Sequence, residues 1–449
     1  MDSPFLQHVG DIFSGLKGRK LTIAAVIWGM LLLVALACAF GLIKLPGGKA
    51  PAAPAKPPAT LPTPQATATQ QGFTVLPTPT PQSGTPAYPK LPWGDFGYGV
   101  AANAIIMPDY TLNQIAHQLK FTWVKQQVRW DHFSPGPGQM DWSGYDVMVE
   151  FAHERNLKVL LSVVGAPAWS LSYRDANPQA APPDDITLYI NFLGEMVDRY
   201  KGKIHAIEVW NEQNLDREWD TAQGVNAASY VEMLRLAYQA IKSRDPSIIV
   251  ISGALSPTGA SATDSANPNR VIYMDDFVYF QQMIDAGFLN YADCVGAHHN
   301  GINMPPDVAW NEGYNDPTAK FRGPFDNPDH SWSFKSTLWG YHDMIQKAGF
   351  NKPLCVTEFG WATSEGFGAT PVGFEFADDN TLEEQAQWTV QAFQLMREWG
   401  FVHLAFLWNL DYSYKGPGPS DPNAPYAILD MQGAARPAYS ALAEMPKIP

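Results

Sequence analysis

From Trp93 onward, short apolar runs alternate with longer amphipathic runs, and this alternation constrains the fold more than any other feature of the sequence. Short apolar runs are typical of buried strands, whereas apolar residues that recur about every 3.6 positions are typical of surface helices. We count eight strand-like runs, at residues 97–104, 122–130, 157–169, 203–214, 247–257, 294–301, 353–361 and 403–412. The helical runs between them include 143–155, 184–200, 226–243, 275–287, 333–348 and 381–399.

Eight strand–helix units over roughly 350 residues predict a (β/α)8 TIM barrel, an α/β fold whose parallel sheet closes on itself. The alternative is an open doubly wound sheet, which usually carries a glycine-rich phosphate loop after its first strand. The first run reads GYGVAANA and contains no loop of that form. We therefore predict a barrel domain over residues 93–449.

The segment before Trp93 has a different composition from the rest of the chain. Residues 21–43 contain no charged side chain, and because about 20 apolar residues span a bilayer, we predict a single transmembrane helix there. Residues 1–20 end in a basic cluster and are predicted to be a cytoplasmic tail. Residues 44–92, rich in Pro, Thr and Ala, are predicted to be a disordered spacer that holds the barrel outside the cytoplasm, at the cell membrane.

Charge and cysteine content limit the partners. The formal net charge is −14 at pH 7, which argues against nucleic acid because phosphate contacts need clustered Lys and Arg. Cys38 lies in the predicted transmembrane helix, where lipid attachment is an alternative. Cys294 and Cys355 are expected to be buried thiols without a disulfide. No ligand spacing indicates a metal or another cofactor.

In such barrels the active site lies at the C-terminal ends of the strands, so the last residues of each run are candidate site residues. Glu212 ends the fourth run and Glu358 ends the seventh. Two facing carboxyl groups without metal ligands are typical of glycosidic bond hydrolysis, in which one donates a proton and the other attacks or activates water. Strands four and seven lie nearly opposite, so we expect these side chains to converge on one sugar ring. The alternative is a pair of salt bridges at the barrel rim.

The runs IEVWNEQN (207–214) and CVTEFGW (355–361) resemble a clan of glycoside hydrolases with the acid/base on strand four and the nucleophile on strand seven. The residues of these two motifs are most similar to those of the family 39 and family 5 types, which are xylosidase-like and cellulase-like. The resemblance covers residues 93–449. It implies a retaining enzyme in which Glu212 is the general acid and then base, with a raised pKa, and Glu358 is the nucleophile.

The same resemblance implies three further site residues. Asn211 would bind the sugar 2-hydroxyl, a contact that strengthens in the transition state. Arg129 would be the cation beside Glu358, although a structural pair with Glu208 is an alternative. Trp408 would form the floor of the subsite where the bond breaks.

Strand six departs from the pattern of the clan. The clan often has His-x-Tyr there, with the Tyr in contact with the nucleophile, whereas this chain has His298, His299 and Asn300. His298 and His299 are both candidates to contact the substrate, although only one of two adjacent strand residues faces the barrel interior. The remaining candidates for sugar contacts, for each of which packing is the alternative, are Trp169, Trp310, Tyr314 and Trp332.

Two other classes of function remain open at this point. A barrel that binds glycans without cleaving them would place similar side chains at its strand ends. A metal-dependent barrel hydrolase would need clustered His and Asp ligands, which the strand ends do not offer. The prediction is a membrane-anchored, retaining glycoside hydrolase that needs no cofactor, with a β-glucan or xylan as substrate on resemblance alone.

Overall fold

The computed structural model of the chain describes residues 96–172 and 180–448. The predicted cytoplasmic tail, transmembrane helix and spacer lie outside these residues. In the part that is described, none of the helices combines the length and the apolar character that a bilayer span requires.

Eight strands form one sheet in which every pair of neighbours is parallel. They are β1 (Gly97–Ala101), β2 (Trp123–Arg129), β3 (Lys158–Val164), β4 (Ala206–Val209), β5 (Ile249–Ser252), β6 (Val295–Gly301), β7 (Leu354–Trp361) and β8 (Val402–Leu407). The order in the sheet is β5-β4-β3-β2-β1-β8-β7-β6. A parallel bridge between Ile251 and Cys294 joins the two end strands. The sheet is therefore closed, which confirms the predicted barrel and excludes the open doubly wound sheet.

The seam between β5 and β6 depends on a glycine. The backbone nitrogen of Gly296 donates a hydrogen bond to Ser252 Oγ over 3.1 Å. A Cβ atom at position 296 would lie 2.0 Å from the carbonyl oxygen of Ser252. Any larger residue would force the two strands apart, because the neighbouring atom is backbone and has no flexible end to move.

Within the described residues, eight longer helices follow the strands. They are α1 (Pro108–Asn113), α2 (Ser143–Glu154), α3 (Ile186–Arg199), α4 (Ala227–Arg244), α5 (Asp276–Asp285), α6 (Phe334–Lys347), α7 (Leu382–Trp399) and α8 (Pro437–Glu444). The predicted capping box at the start of α7 is present, with Thr381 and Glu384 each bonding the backbone of the other. Gln114–Gln118 continues α1 directly as a π-helical turn. The loops contain a small antiparallel hairpin that the sequence did not predict, formed by Ala262–Thr263 and Val271–Tyr273. They also contain single turns of helix at Trp130–Phe133, Ala168–Ser170, Phe288–Asn290, Gly323–Asp326, His330–Trp332, Glu375–Asp378, Tyr412–Lys415 and Ala424–Tyr426.

Two apolar layers hold the barrel together. The larger layer lies between the outer face of the strands and the helices. The smaller layer fills the interior of the barrel with the side chains of Trp123, Leu160, Ala206, Ile249, Ile251, Cys294, Cys355, Leu404 and Phe406. Because this inner layer closes the barrel below the strand ends, a ligand can enter only from the C-terminal end.

The cysteine prediction was wrong. Cys294 and Cys355 form a disulfide inside the barrel, with Cα atoms 5.8 Å apart. Their positions 61 residues apart in sequence gave no sign of pairing, but β6 and β7 are neighbouring strands, and their register brings the two side chains into bonding distance.

We expect removal of this disulfide to reduce stability. A cross-link across 61 residues restricts the unfolded chain, so the Cys294→Ala/Cys355→Ala variant should lose roughly 2–4 kcal/mol of unfolding free energy. Urea denaturation of the full chain measures this, with Cys38→Ala as the matched control. Equal midpoints for the double variant and the control would contradict the pairing.

Candidate active site

Glu212 lies just beyond β4 on a strained stretch of backbone. Trp210 has φ 76° and Glu212 has φ 43°, a left-handed conformation that costs a residue with a side chain on the order of 1–3 kcal/mol. The backbone nitrogen of Glu212 donates to the carbonyl oxygen of Ala254, 2.8 Å away beyond β5. This local geometry turns the carboxyl group toward the mouth of the barrel instead of along the strand.

His298 joins the two predicted catalytic residues. Its Nδ1 atom lies 3.2 Å from Glu212 Oε1 and 3.8 Å from Glu358 Oε2. The two carboxylate oxygens are therefore no more than about 7 Å apart, since both distances are measured from one atom. The predicted convergence of the carboxyl groups from β4 and β7 is present in the structure.

A buried lysine is the cation beside Glu358. Lys125 on β2 donates a hydrogen bond to Glu358 Oε1 over 3.0 Å, and its Nζ lies 3.2 Å from Glu208 Oε2. Arg129, predicted for this role, has its Nε 3.4 Å from Asp131 Oδ1. Lys125 is thus the cation that the structure shows beside both Glu358 and Glu208, and the predicted roles of Arg129 beside either glutamate stay predictions. Arg129 is the last residue of β2, four residues beyond Lys125 on the same face of the strand.

Glu208 supports this ion pair from below. Its side chain is fully buried, and Oε1 accepts a 2.6 Å hydrogen bond from the Thr357 hydroxyl. Burial alone would raise the pKa of Glu208, but the Lys125 and His298 charges hold it below its ordinary value. Burial would likewise lower the pKa of Lys125, yet the charges of Glu208 and Glu358 raise it. Lys125 is therefore a cation held between two carboxylates.

We expect the loss of this cation to be costly. Lys125→Met would leave Glu208 and Glu358 buried without their shared partner, and breaking a buried ion pair typically costs about 3–5 kcal/mol. The deficit in thermal stability should be large at pH 7 and smaller at pH 4, where protonation of one glutamate relieves the repulsion. Lys203→Met, which removes a surface ion pair with Glu150, is the matched control. Equal melting temperatures for the two variants at pH 7 would contradict this account.

The pKa of Glu212 differs from the prediction. Burial raises it, but the hydrogen bond with His298 and the positive charge of Arg217 lower it to about 2. Arg217 donates a hydrogen bond from Nη2 to Glu212 Oε2 over 2.8 Å. The predicted raised pKa was therefore wrong for this arrangement, because Arg217 lies in the loop after β4 and was not counted among the neighbours of Glu212.

The two histidines of β6 face opposite sides of the sheet, as the alternation of strand residues requires. Burial alone would lower the pKa of His298, but the Glu358 charge and the hydrogen bond with Glu212 raise it. His299 lies on the helix side, where Nε2 is 3.1 Å from the carbonyl oxygen of Ser331. Burial lowers the pKa of His299 to about 4. His299 is a buried structural residue, and its predicted contact with substrate was wrong.

Two asparagines offer polar atoms at the site. Asn300 Nδ2 donates to Glu358 Oε2 over 3.4 Å, so Asn300 occupies the place beside Glu358 where the clan often has Tyr. The side-chain oxygens of Asn211 and Asn300 are both buried and have no hydrogen-bond partner among the described residues. Buried amide oxygens in this state are costly unless a ligand satisfies them. This agrees with a role for Asn211 in binding a sugar hydroxyl, which stays a prediction.

The predicted aromatic contacts lie in different environments. Trp408 is 8% exposed, and Lys125 Nζ lies 5.9 Å from the centre of its ring, so Trp408 borders the carboxylate pair. Trp169 packs against Trp130 at 5.9 Å and donates from Nε1 to the carbonyl oxygen of Ser134. Trp169 is half-buried and packs on one side, and the predicted sugar contacts of Trp169 and Trp408 both stay predictions.

The long loop after β6 contributes two separate aromatic groups. Trp310 and Tyr314 line a cavity of about 250 Å³ together with Phe325. Trp332 packs against Phe321 at 5.9 Å, and Phe321 in turn packs against the apolar cluster that contains Trp408. Trp332 is therefore linked to the site through Phe321, and the predicted sugar contacts of Trp310, Tyr314 and Trp332 remain predictions.

One group with the geometry of metal ligands occurs within residues 96–172 and 180–448. It consists of Asp275, Asp276 and His330. Asp276 already accepts hydrogen bonds from the Tyr341 hydroxyl at 2.7 Å and from the backbone of Thr258 at 3.1 Å, and His330 Nε2 lies 3.1 Å from it. This group pins the start of α5 to the loop before α6. The carboxylates of Glu212 and Glu358 do not belong to it.

No protein family model matches the chain. Among solved structures, the chain is similar to a family 39 glycoside hydrolase from Bacteroides cellulosilyticus WH2, with a TM-score of 0.55 and 16% identity, covering 77% of this chain and 62% of that one. It is also similar to a family 39 enzyme from Xanthomonas axonopodis pv. citri, with a TM-score of 0.53 and 16% identity, covering 78% and 65%. An exo-β-1,4-mannosidase from an Opitutaceae bacterium is similar as well, with a TM-score of 0.51 and 15% identity, covering 80% of this chain and 61% of that one.

These comparisons concern the barrel. The chain spans less than two thirds of the length of each of these three structures. Identities of 15–16% show a shared fold and no more. The resemblance drawn from the sequence motifs is thus confirmed at the level of architecture: the chain is an eight-stranded parallel barrel, and the solved structures similar to it include two glycoside hydrolases of family 39.

Proposed function

We propose that the chain is a retaining glycoside hydrolase, with Glu212 as the general acid and base and Glu358 as the nucleophile. The observation that carries the proposal is the shared contact of Glu212 and Glu358 with His298 Nδ1 at the mouth of the barrel. Retaining enzymes hold their two carboxyl groups about 5–5.5 Å apart, and inverting enzymes about 6.5–9.5 Å apart. The upper limit of about 7 Å between Glu212 Oε1 and Glu358 Oε2 is compatible with the retaining range.

The proposed reaction has two steps. In the first, Glu358 attacks the anomeric carbon while Glu212 protonates the leaving oxygen, which gives a covalent glycosyl–enzyme ester. In the second, Glu212 accepts a proton from water, and the resulting nucleophile displaces Glu358 from the sugar. Lys125 and Asn300 hold the two oxygens of Glu358 in place, so the attacking oxygen needs little reorientation.

We propose a β-linked glucan or xylan as substrate. The support is the sequence resemblance, together with similar solved structures named as an exo-β-1,4-mannosidase and a β-glycosidase, the latter with a TM-score of 0.51 and 15% identity. Trp408 and the aromatic loop after β6 would supply flat surfaces for the C–H faces of the sugars. A panel of aryl β-glycosides tests the proposal, with aglycone release as the readout.

The alternative is a barrel that binds glycans without cleaving them. The ion pairs of Glu212 with Arg217 and of Glu358 with Lys125 keep this alternative open, because they would also stabilise a silent site. The panel of aryl β-glycosides distinguishes the hydrolase from the binding barrel. Turnover of any glycoside supports the hydrolase, whereas measurable sugar affinity without turnover across the panel would support the binding barrel. Activity that survives a chelator would remove a metal-dependent hydrolase.

We also propose that the barrel works outside the cytoplasm, tethered by residues 21–43. The disulfide between Cys294 and Cys355 supports an oxidising compartment, since structural disulfides are rare in reducing cytosol. Protease treatment of intact cells tests this. The barrel should be released by cleavage in residues 44–92, and full protection until the cells are broken would contradict the proposal.

A further inference from the structure

Both oxygens of the Glu212 carboxylate are engaged. Oε1 lies 3.2 Å from His298 Nδ1, and Oε2 accepts a hydrogen bond from Arg217 Nη2 over 2.8 Å. A general acid must present a protonated oxygen to the leaving group, so one of these contacts has to open during the reaction. The side chain of His298 is fully buried, whereas that of Arg217 is 67% exposed. Arg217 is therefore the partner that is able to move.

The loop that carries Arg217 is held by its backbone. The nitrogen of Asp216 donates to the carbonyl oxygen of Ile272 over 2.7 Å, and Trp210 Nε1 donates to the carbonyl oxygen of Glu218 over 2.6 Å. These bonds fix the residues on both sides of Arg217. A change in the contacts of Arg217 therefore needs only rotation of its side chain.

A third carboxyl group lies next to Arg217 in the sequence. Glu218 is half-buried, and its side chain makes no hydrogen bond or ion pair with another described residue. Burial, followed by the negative charge of Glu212, raises the pKa of Glu218 to about 7, against the opposing charges of Arg217 and Arg129. Glu218 therefore holds a proton over the mildly acidic range, while Glu212 is ionised.

We propose that Arg217 is a positioning residue that exchanges between two carboxyl groups, pairing with Glu212 in the arrangement seen here and with Glu218 when a glycoside is bound. The proposal rests on the hydrolase function proposed above. In the exchange, Glu218 gives its proton to solvent and Glu212 takes one up, so the number of bound protons is unchanged. The leaving oxygen displaces Arg217 from Glu212 Oε2, and the ionised Glu218 receives the guanidinium. Glu212 then has the protonated oxygen that the first step requires.

Other charged groups surround this pair and stay in place during the exchange. Arg129, at the end of β2, lies within electrostatic range of Glu218. The groups on the elements packed around Glu212 are Lys125, Glu208, His298 and Glu358 on the strands, and the phenols of Tyr341 and Tyr426, whose raised pKa values keep them neutral at working pH. None of these strand residues is exposed enough to exchange partners as Arg217 does.

The test uses two pH profiles for a β-glycoside with a poor leaving group: kcat/KM, which reports the free enzyme and is the readout for Arg217→Met, and kcat, which reports the bound complex and is the readout for Glu218→Gln. In Arg217→Met, Glu212 loses the cation that favours its ionised form, so the basic limb should move to higher pH by at least about half a unit. In Glu218→Gln, Arg217 has no second carboxylate, so the basic limb should move to lower pH and kcat should fall about tenfold. Arg217→Lys should restore most of the wild-type profile. Arg235→Met, which removes a surface pair on α4, is the control and should leave the profile unchanged.

The double variant separates exchange from simple charge effects. If Arg217 moves between the two carboxyl groups, Glu218→Gln should have no further effect in the Arg217→Met background. An equal shift from Glu218→Gln in both backgrounds would overturn the exchange, as would shifts of the two single variants in the same direction, or no shift in either. A wild-type chain that cleaves no glycoside would contradict the proposed function itself, which is a different result from cleavage with unshifted profiles.

Discussion

Glu358→Gln should reduce the turnover of every β-glycoside by on the order of 10⁴-fold or more, because the amide cannot form the glycosyl ester. In the wild-type chain Lys125 donates a hydrogen bond to Glu358 Oε1 over 3.0 Å. The substitution keeps the shape of the side chain and one oxygen that can accept this hydrogen bond. The fold should therefore be retained, and circular dichroism and the melting temperature should check this. Initial rates on the best aryl glycoside of the panel measure the loss.

Two controls sharpen this result. Glu383→Gln changes an exposed glutamate at the start of α7 and should keep full activity. In Glu358→Ala, added azide should fill the space left by the carboxylate, attack the anomeric carbon and give a glycosyl azide of inverted configuration. A Glu358→Gln protein that keeps more than about a tenth of wild-type activity would contradict the nucleophile assignment.

Glu212→Gln should have an effect that depends on the leaving group. For poor leaving groups, which need a proton, the rate should fall by about 10²–10⁴-fold and the basic limb of the pH profile should disappear. For activated aryl glycosides the first step should be affected far less, and the glycosyl–enzyme should accumulate because Glu212 is also the base of the second step. Pre-steady-state release of the aryl group, with a burst close to one per enzyme, measures this accumulation.

The comparison between leaving groups is its own control, since a variant that merely misfolds would lose both substrates equally. A uniform decrease across leaving groups, with the basic limb unchanged, would contradict the acid assignment. The low pKa of Glu212 in this structure, about 2, keeps it ionised, which is the protonation state that the second step starts from. The first step requires the contact with Arg217 to open.

The sequence predicted the barrel and its two carboxylates because their signals are local. Each strand is a short apolar run, and Glu212 and Glu358 lie in the C-terminal part of two of the predicted runs. The alternation of strand residues also limited β6 to a single inward histidine, which the structure identifies as His298. These inferences needed only the order of residues along the chain and the rule that parallel strands end at one edge.

The errors involve groups brought together from different strands. Lys125 stands in the middle of β2, and reading only the ends of the strands missed it, although a lysine inside a strand that is otherwise buried was a usable signal. The disulfide depends on the register between β6 and β7, which the separate strand patterns do not contain. The pKa of Glu212 depends on the direction in which Arg217 points from an irregular loop.

The central claim is that Glu212 and Glu358 act on the two sides of one glycosidic bond, with Glu358 bonded to the sugar midway through the reaction. The most direct measurement is mass spectrometry of proteolytic peptides after incubation with a 2-deoxy-2-fluoro glycoside of the preferred sugar, which slows the second step. We predict one adduct per chain, attached to Glu358 and absent from Glu358→Gln. An adduct on another carboxylate, or product of inverted configuration by proton NMR without any adduct, would contradict the account.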